Sequence, residues 1–171
     1  MTTSDGLACG DLATRALTRR NVAAGYADLM GRYALPLFVT QTFAKRSHPE
    51  AVCKAHRYFL SLVNVELHGK NWRRKGIIGA QSIVGVERHK SGYPHSHAVV
   101  GHPDIDLGSD FHRPLRAALK ARCEDEWGFA RLEVASSAAE VNAYVSKYVV
   151  KDGDLWISDN IEALNSGQLS L

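Results

Sequence analysis

Cysteine is scarce in this chain. Cys9, Cys53 and Cys123 are far apart, odd in number and form no Cys-x-x-Cys pair. That argues against a disulfide framework or a structural zinc knuckle and fits a reducing compartment. Long apolar runs are missing too: none approaches the ~20 residues that a membrane helix needs. The opening Met1-Thr2-Thr3-Ser4-Asp5 has no basic stretch followed by an apolar one, so no secretory signal is expected. The expected location is cytoplasmic, with no membrane partner. Internal repeats and low-complexity tracts are absent. So is any Gly-x-x-x-x-Gly-Lys-Ser/Thr sequence, which excludes a P-loop helicase within these residues.

What is present suits one modest domain. The chain has 171 residues, 45% of them hydrophobic, enough for a real core. Its net charge of +3 is compatible with a nucleic-acid partner without being diagnostic of one. Residues from about Leu7 to Tyr33 read as an amphipathic helix carrying Arg15, Arg19 and Arg20. Pro36 breaks that pattern, and Leu37 to Phe43 reads as a strand. Ser47 can cap a helix that opens with Pro49 and ends near Gly69. A basic loop, Lys70 to Gly76, leads to a strand from Ile77 to Arg88, a turn at Ser91-Gly92 and a second strand from His95 to Gly101. A helix from Arg113 to Trp127 follows, then a strand from Ala130 to Ala135. Ser136 or Ser137 caps a last helix, Ala138 to Lys151, stopped by Gly153. The expected organisation is an N-terminal helical segment over 1–35, a core over 36–152 and a weakly patterned tail over 153–171. The expected fold is α+β: an antiparallel sheet with helices mainly on one face, of the ferredoxin-like kind.

Two constellations carry chemistry. The first is Glu87-Arg88-His89-Lys90-Ser91-Gly92-Tyr93-Pro94-His95-Ser96-His97. Side chains alternate faces along a strand, so His95 and His97 point one way and Ser96, Ala98 and Val100 the other. If the hairpin turns at Ser91, Glu87 lies opposite His95 on the same face; a two-residue change in pairing puts it opposite His97 instead, still on that face. A one-residue slip sends it to the other side. Two imidazoles and a carboxylate suit a divalent first-row ion such as Mn²⁺, or Mg²⁺ with several waters kept. Such an ion polarises a phosphate oxygen. A solvated strand can also carry these residues, and His89 or His102 could substitute as a ligand.

The second constellation repeats Tyr-x-x-Lys in Tyr144, Lys147, Tyr148 and Lys151, all within one arc of roughly 100° on a helix. Ala138, Val141, Val145 and Val149 fill the adjoining arc. Tyrosine is a poor nucleophile at neutral pH because its reference pKa is about 10. A lysine one turn away and a nearby metal both favour the phenolate. An ordinary amphipathic helix with tyrosines at the core boundary has the same pattern.

Together these residues resemble the HUH endonuclease superfamily, in particular its rolling-circle replication initiators. Three motifs occur in that family's order: Phe38-Val39-Thr40-Gln41-Thr42-Phe43, then Pro94-His95-Ser96-His97, then Tyr144 to Lys147. Ser96 departs from the hydrophobic residue usual between the histidines. The paired Tyr144 and Tyr148 resemble the two-tyrosine subgroup, in which the tyrosines alternate as nucleophiles. The resemblance implies a central RRM-like antiparallel sheet with the histidine strand in its middle. It implies His95, His97 and Glu87 as metal ligands for Mn²⁺ or Mg²⁺, and Tyr144, Tyr148, Lys147 and Lys151 as catalytic residues. The implied reaction is site-specific nicking and rejoining of single-stranded DNA, through a 5′-phosphotyrosine and a free 3′-OH. That reaction initiates and terminates rolling-circle replication of a plasmid or phage. Origin DNA, single-stranded or in a hairpin, would be the substrate, with a host helicase and DNA polymerase as partners.

Candidate DNA contacts are Thr40 and Thr42 on one strand face, Lys45 and Arg46 after it, and the cluster Lys70, Trp72, Arg73, Arg74 and Lys75. Transposases and relaxases of the superfamily are rival readings. The common transposase form has Gln four residues after the tyrosine, where Tyr148 stands, and relaxases usually carry a third histidine. A sheet-based nucleic-acid-binding module without enzymatic activity is the other rival.

Overall fold

The computed structural model describes residues 21, 24, 25, 28, 33, 35–44, 48–88, 92–137, 139–141, 143, 144 and 154–161. Its elements are β1 (Leu37–Phe43), α1 (Pro49–His68), β2 (Gln81–Arg88), β3 (Pro94–Gly101), α2 (Arg113–Trp127), β4 (Gly128–Val134) and β5 (Asp154–Ile157). Short 3₁₀ turns lie at Arg73–Lys75 and Asp110–His112. The strands form one five-stranded sheet in the order β4-β1-β3-β2-β5, every neighbour antiparallel. Two β-α-β units, β1-α1-β2 and β3-α2-β4, are interleaved so that each spans a strand of the other. β3 is the middle strand.

Period-two patterning sorts the side chains. Leu37, Val39 and Phe43 of β1, Val84 and Val86 of β2 and Ala98 and Val100 of β3 meet Val52, Phe59 and Val63 of α1 and Leu119 and Cys123 of α2 in the main core. On α1 the buried positions Val52, His56, Phe59, Leu60, Val63 and Asn64 recur at helical spacing, so a single stripe faces the sheet. The opposite sheet face carries a smaller cluster of Leu35, Phe38, Ile83, Val99 and Val141, with Tyr144 packed at its margin.

The α+β class, the antiparallel sheet and its flanking helices agree with the sequence reading; several boundaries do not. His48, not Ser47, is the N-cap of α1, its ring accepting the Glu50 N–H at 3.4 Å. β2 begins at Gln81, four residues later than expected, because side chains take the preceding backbone groups. The Ala80 N–H goes to Asn64 Oδ1 at 2.6 Å, and Asn160 Nδ2 donates to the Gly79 and Ala80 carbonyls. β4 begins two residues early, because Gly128, at φ 121°, ends α2 and pairs with Phe43 at once. Part of the expected tail is β5, an edge strand on β2. Four residues are too few to show alternation.

Ala139, Glu140, Val141, Ala143 and Tyr144 are helical. Ser137 caps this segment by accepting the Glu140 N–H at 3.2 Å. Glu140 accepts in return from the N–H and hydroxyl of Ser136, the residue before the cap, both at 2.7 Å, and these bonds hold its carboxyl below the usual range. Lys45, Arg46, Lys147, Tyr148 and Lys151 lie outside the described residues. Among the described residues no helix is long and apolar enough to cross a membrane.

Candidate active site on the open sheet face

The face turned away from α1 and α2 collects the chemistry. β1 presents Thr40 and Thr42 there, and its neighbour β3 sets His97 opposite Thr40 and His95 opposite Thr42. On the other side of β3, Glu87 lies opposite His95, the register that keeps the carboxylate with the imidazoles. Gly85 lies opposite His97, so no side chain stands across from that ring on β2.

Each imidazole is held by its Nδ1. Thr42 Oγ1 is 2.7 Å from His95 Nδ1, and Thr40 Oγ1 is 3.4 Å from His97 Nδ1. The Tyr144 hydroxyl completes a three-way contact, 3.0 Å from His97 Nδ1 and 2.6 Å from Thr40 Oγ1. Its ring packs on Phe38 at 4.4 Å between centroids. Thr40 and Tyr144 are 104 residues apart in sequence, so only the folded sheet and the capped helical segment bring them together.

His97 Nε2 faces Glu87 Oε2 at 3.6 Å, with both side chains largely covered (13% and 19% exposed). The neutral His97 ring has two proton arrangements. With a proton on Nε2, toward Glu87, Nδ1 accepts the tyrosine hydroxyl. With Nε2 bare, Nδ1–H donates to the phenol oxygen, and two lone-pair atoms face each other across 3.6 Å unless a cation lies between them. In both, a hydrogen-bonding group is aimed at the tyrosine oxygen.

Two imidazoles and a carboxylate are donor types that a divalent ion takes. Hydroxyls on Nδ1 are the kind of outer partner that orients metal-binding histidines. Glu87 adds a hard oxygen donor. The set is open: His95 lies 6.4 Å from His97 between ring centroids, and no three His, Cys, Asp or Glu groups close into a metal cluster among the described residues.

Other expected residues lie elsewhere. His102 is no substitute ligand. It lies beyond the far end of β3, its Nε2 2.9 Å from His68 Nε2, and burial, with His68 as the second cause, lowers its pKa. Trp72 and Arg73 line a cleft with α1, on the helix-bearing side, so the basic cluster does not adjoin the tyrosine. Thr40 and Thr42, expected as DNA contacts, hydrogen-bond to the histidines.

Sequence reading missed Phe129 and Arg131. Their register opposite Thr42 and Thr40 puts both on the open face. Phe129 is 57% exposed, and Arg131 pairs with Glu133 at 2.6 Å. An aromatic and a cation two residues apart on a strand were the available signal.

The chain matches no protein-family model, no curated protein and no solved structure.

Proposed function

We propose that this protein nicks single-stranded DNA by transesterification, with Tyr144 as the nucleophile, as an HUH-type replication initiator. One observation carries the reading: the Tyr144 hydroxyl is hydrogen-bonded to His97 and Thr40 on the face that also bears His95 and Glu87. Those groups are what attack on a phosphodiester requires: an oxygen nucleophile, a proton acceptor or donor on it, and ligands for a cation.

In the proposed reaction the Tyr144 oxygen loses its proton and bonds to phosphorus. The P–O3′ bond breaks, the 3′ oxygen takes up a proton, and the 5′ phosphate stays on the tyrosine. Reversal by a 3′-OH rejoins the strand. Thr40 fixes the phenol oxygen, His97 Nδ1 exchanges or shares its proton, and Thr42 holds the His95 ring. Mn²⁺ or Mg²⁺ bound by Glu87, His95 and His97 would polarise the phosphate. Arg131 and Phe129, beside Thr40 and Thr42, suit a phosphate and an unpaired base of the incoming strand. Rolling-circle initiation, with host helicase and polymerase, belongs to this proposal.

A module that only stacks bases on its sheet is less well supported. Phe38 is buried beneath Tyr144, and the hydroxyls of Thr40 and Thr42 and the imidazoles of His95 and His97 occupy the neighbouring positions of β1 and β3.

The test is incubation with single-stranded oligonucleotides and Mn²⁺. The expected result is an SDS-resistant protein–DNA adduct that Tyr144→Phe abolishes. An adduct of undiminished yield in that variant, or none from the parent across a broad oligonucleotide pool, refutes the proposal.

A further inference from the structure

On the helix-bearing side, at the β5 edge, an open cleft of about 520 Å³ lies between α1, the turn around Trp72 and the residues after β5. Two tryptophans line it, and each has a guanidinium over its ring. Arg57 Cζ is 5.1 Å from the Trp156 centroid, and Arg73 Cζ is 5.1 Å from that of Trp72. Asn64 also lines the cleft. Its Oδ1 is committed to the Ala80 N–H at 2.6 Å, which fixes the amide orientation. Its Nδ2, on a side chain almost wholly buried, has no partner among the described residues, yet it is not sealed off from the cleft. Gly79 permits this arrangement, since a Cβ there would lie 2.6 Å from Asn64 Nδ2 and 2.7 Å from the Trp72 ring.

We propose that this cleft binds an unstacked nucleobase and its phosphate, taken from single-stranded nucleic acid. Tryptophan rings with guanidinium groups over them suit a base face, and such recognition is sequence-tolerant because every base has one. The amide donor of Asn64 suits a base carbonyl or ring nitrogen. Arg57 and Arg73 outnumber Asp159, the acidic residue of the lining, so the cleft favours an anionic backbone. The volume suits one nucleotide better than a duplex. Lys70, Arg74 and Lys75 are exposed on the adjoining loop, where a continuing backbone would pass. A strand held here and cut at Tyr144 must round the β5 edge. The inference rests on the proposed function only in taking that strand to be DNA.

The test uses the full chain with Trp127→Phe, so that Trp72 and Trp156 are the fluorophores, and with Tyr144→Phe, so that binding is read without an adduct. Oligothymidylate is expected to quench the emission, with affinity falling as salt rises. Adding Trp72→Ala is expected to weaken binding about tenfold, the worth of one stacked base. Arg73→Ala, at an exposed position, should weaken it as well and flatten the salt dependence, which guards against a folding defect in the tryptophan variant. Unchanged affinity in both variants overturns the proposal. Thymidine monophosphate binding as tightly as oligothymidylate overturns the strand as the source and marks a free-nucleotide site. Because no adduct is measured, absence of nicking by the parent leaves this result standing.

Discussion

His56 and His97 lie on opposite sides of the same sheet. His56, on α1, is fully buried and its Nε2 is 2.9 Å from Ser82 Oγ. That hydroxyl donates its own proton to the Val99 carbonyl, so it accepts from Nε2–H and leaves Nδ1 bare and without a partner. Burial pushes its pKa down to about 3. His97 has groups at both nitrogens, a carboxylate on one and a phenol on the other. On the helix-covered face other polar groups satisfy one another: Ser96 donates to Gln41, and Gln41 to Cys123. On the open face Thr40 and His97 both contact one tyrosine oxygen. The same residue type is therefore a fixed neutral strut on one side and a chemically addressable group on the other, according to which water and partners reach it.

The sharpest way to break this contrast is to remove each ring. His97→Ala should lower adduct formation by roughly 10²–10⁴-fold with little change in unfolding midpoint. His56→Ala should do the reverse, costing on the order of 2–4 kcal/mol of stability while the folded fraction keeps its activity. Parallel denaturation and adduct assays read both, and the contrast fails if the two variants lose the same property.

The second effect is acid sensitivity. Because the His56 pKa is lowered to about 3, the folded ring stays neutral while the unfolded one takes a proton below about 6.5. Over that window the unfolded state binds more protons. Stability is then full above about 6.5 and falls as pH drops toward 3, by at most about 1.4 kcal/mol per pH unit from this group. His102, also lowered, adds in the same direction. Urea unfolding across this range should show the loss, and His56→Gln should flatten it.

Thr42→Val keeps the branched shape but removes the hydroxyl on His95. It should weaken Mn²⁺ binding about 10–100-fold with little change in fold, measured by calorimetry. The smallest effect is expected from Ser96→Ala. It strips Gln41 Oε1 of its donor and costs about 1–2 kcal/mol, with adduct formation unchanged.

Parity made much of the site legible in sequence. Alternation alone placed His95 with His97 and, given a turn at Ser91, Glu87 with them. Strand order was harder to read: β1 lies beside β3, and nothing local in Thr40 or Thr42 announces that their hydroxyls meet imidazoles 57 and 53 residues away. β5 was hidden by its shortness. The Lys70–Lys75 cluster was visible as composition, but its side of the sheet depends on how α1 packs. Ile77 to Ala80 looked like strand because apolar residues lead into β2, yet the Gly79 and Ala80 backbone groups go to Asn64 and Asn160 and the Ile77 N–H goes to the Trp72 carbonyl.

The direct passage of α2 into β4 at Gly128 has a consequence of its own. A Cβ there would lie 3.0 Å from the Thr42 carbonyl, and the next residue is already paired in the sheet. With no intervening loop, β4 behaves like a reading frame set by the last turn of α2. One residue inserted at the join, unless extruded as a bulge, inverts every β4 side chain. Phe129 and Arg131 would then face the helices, and Ala130 and Leu132 would face the tyrosine.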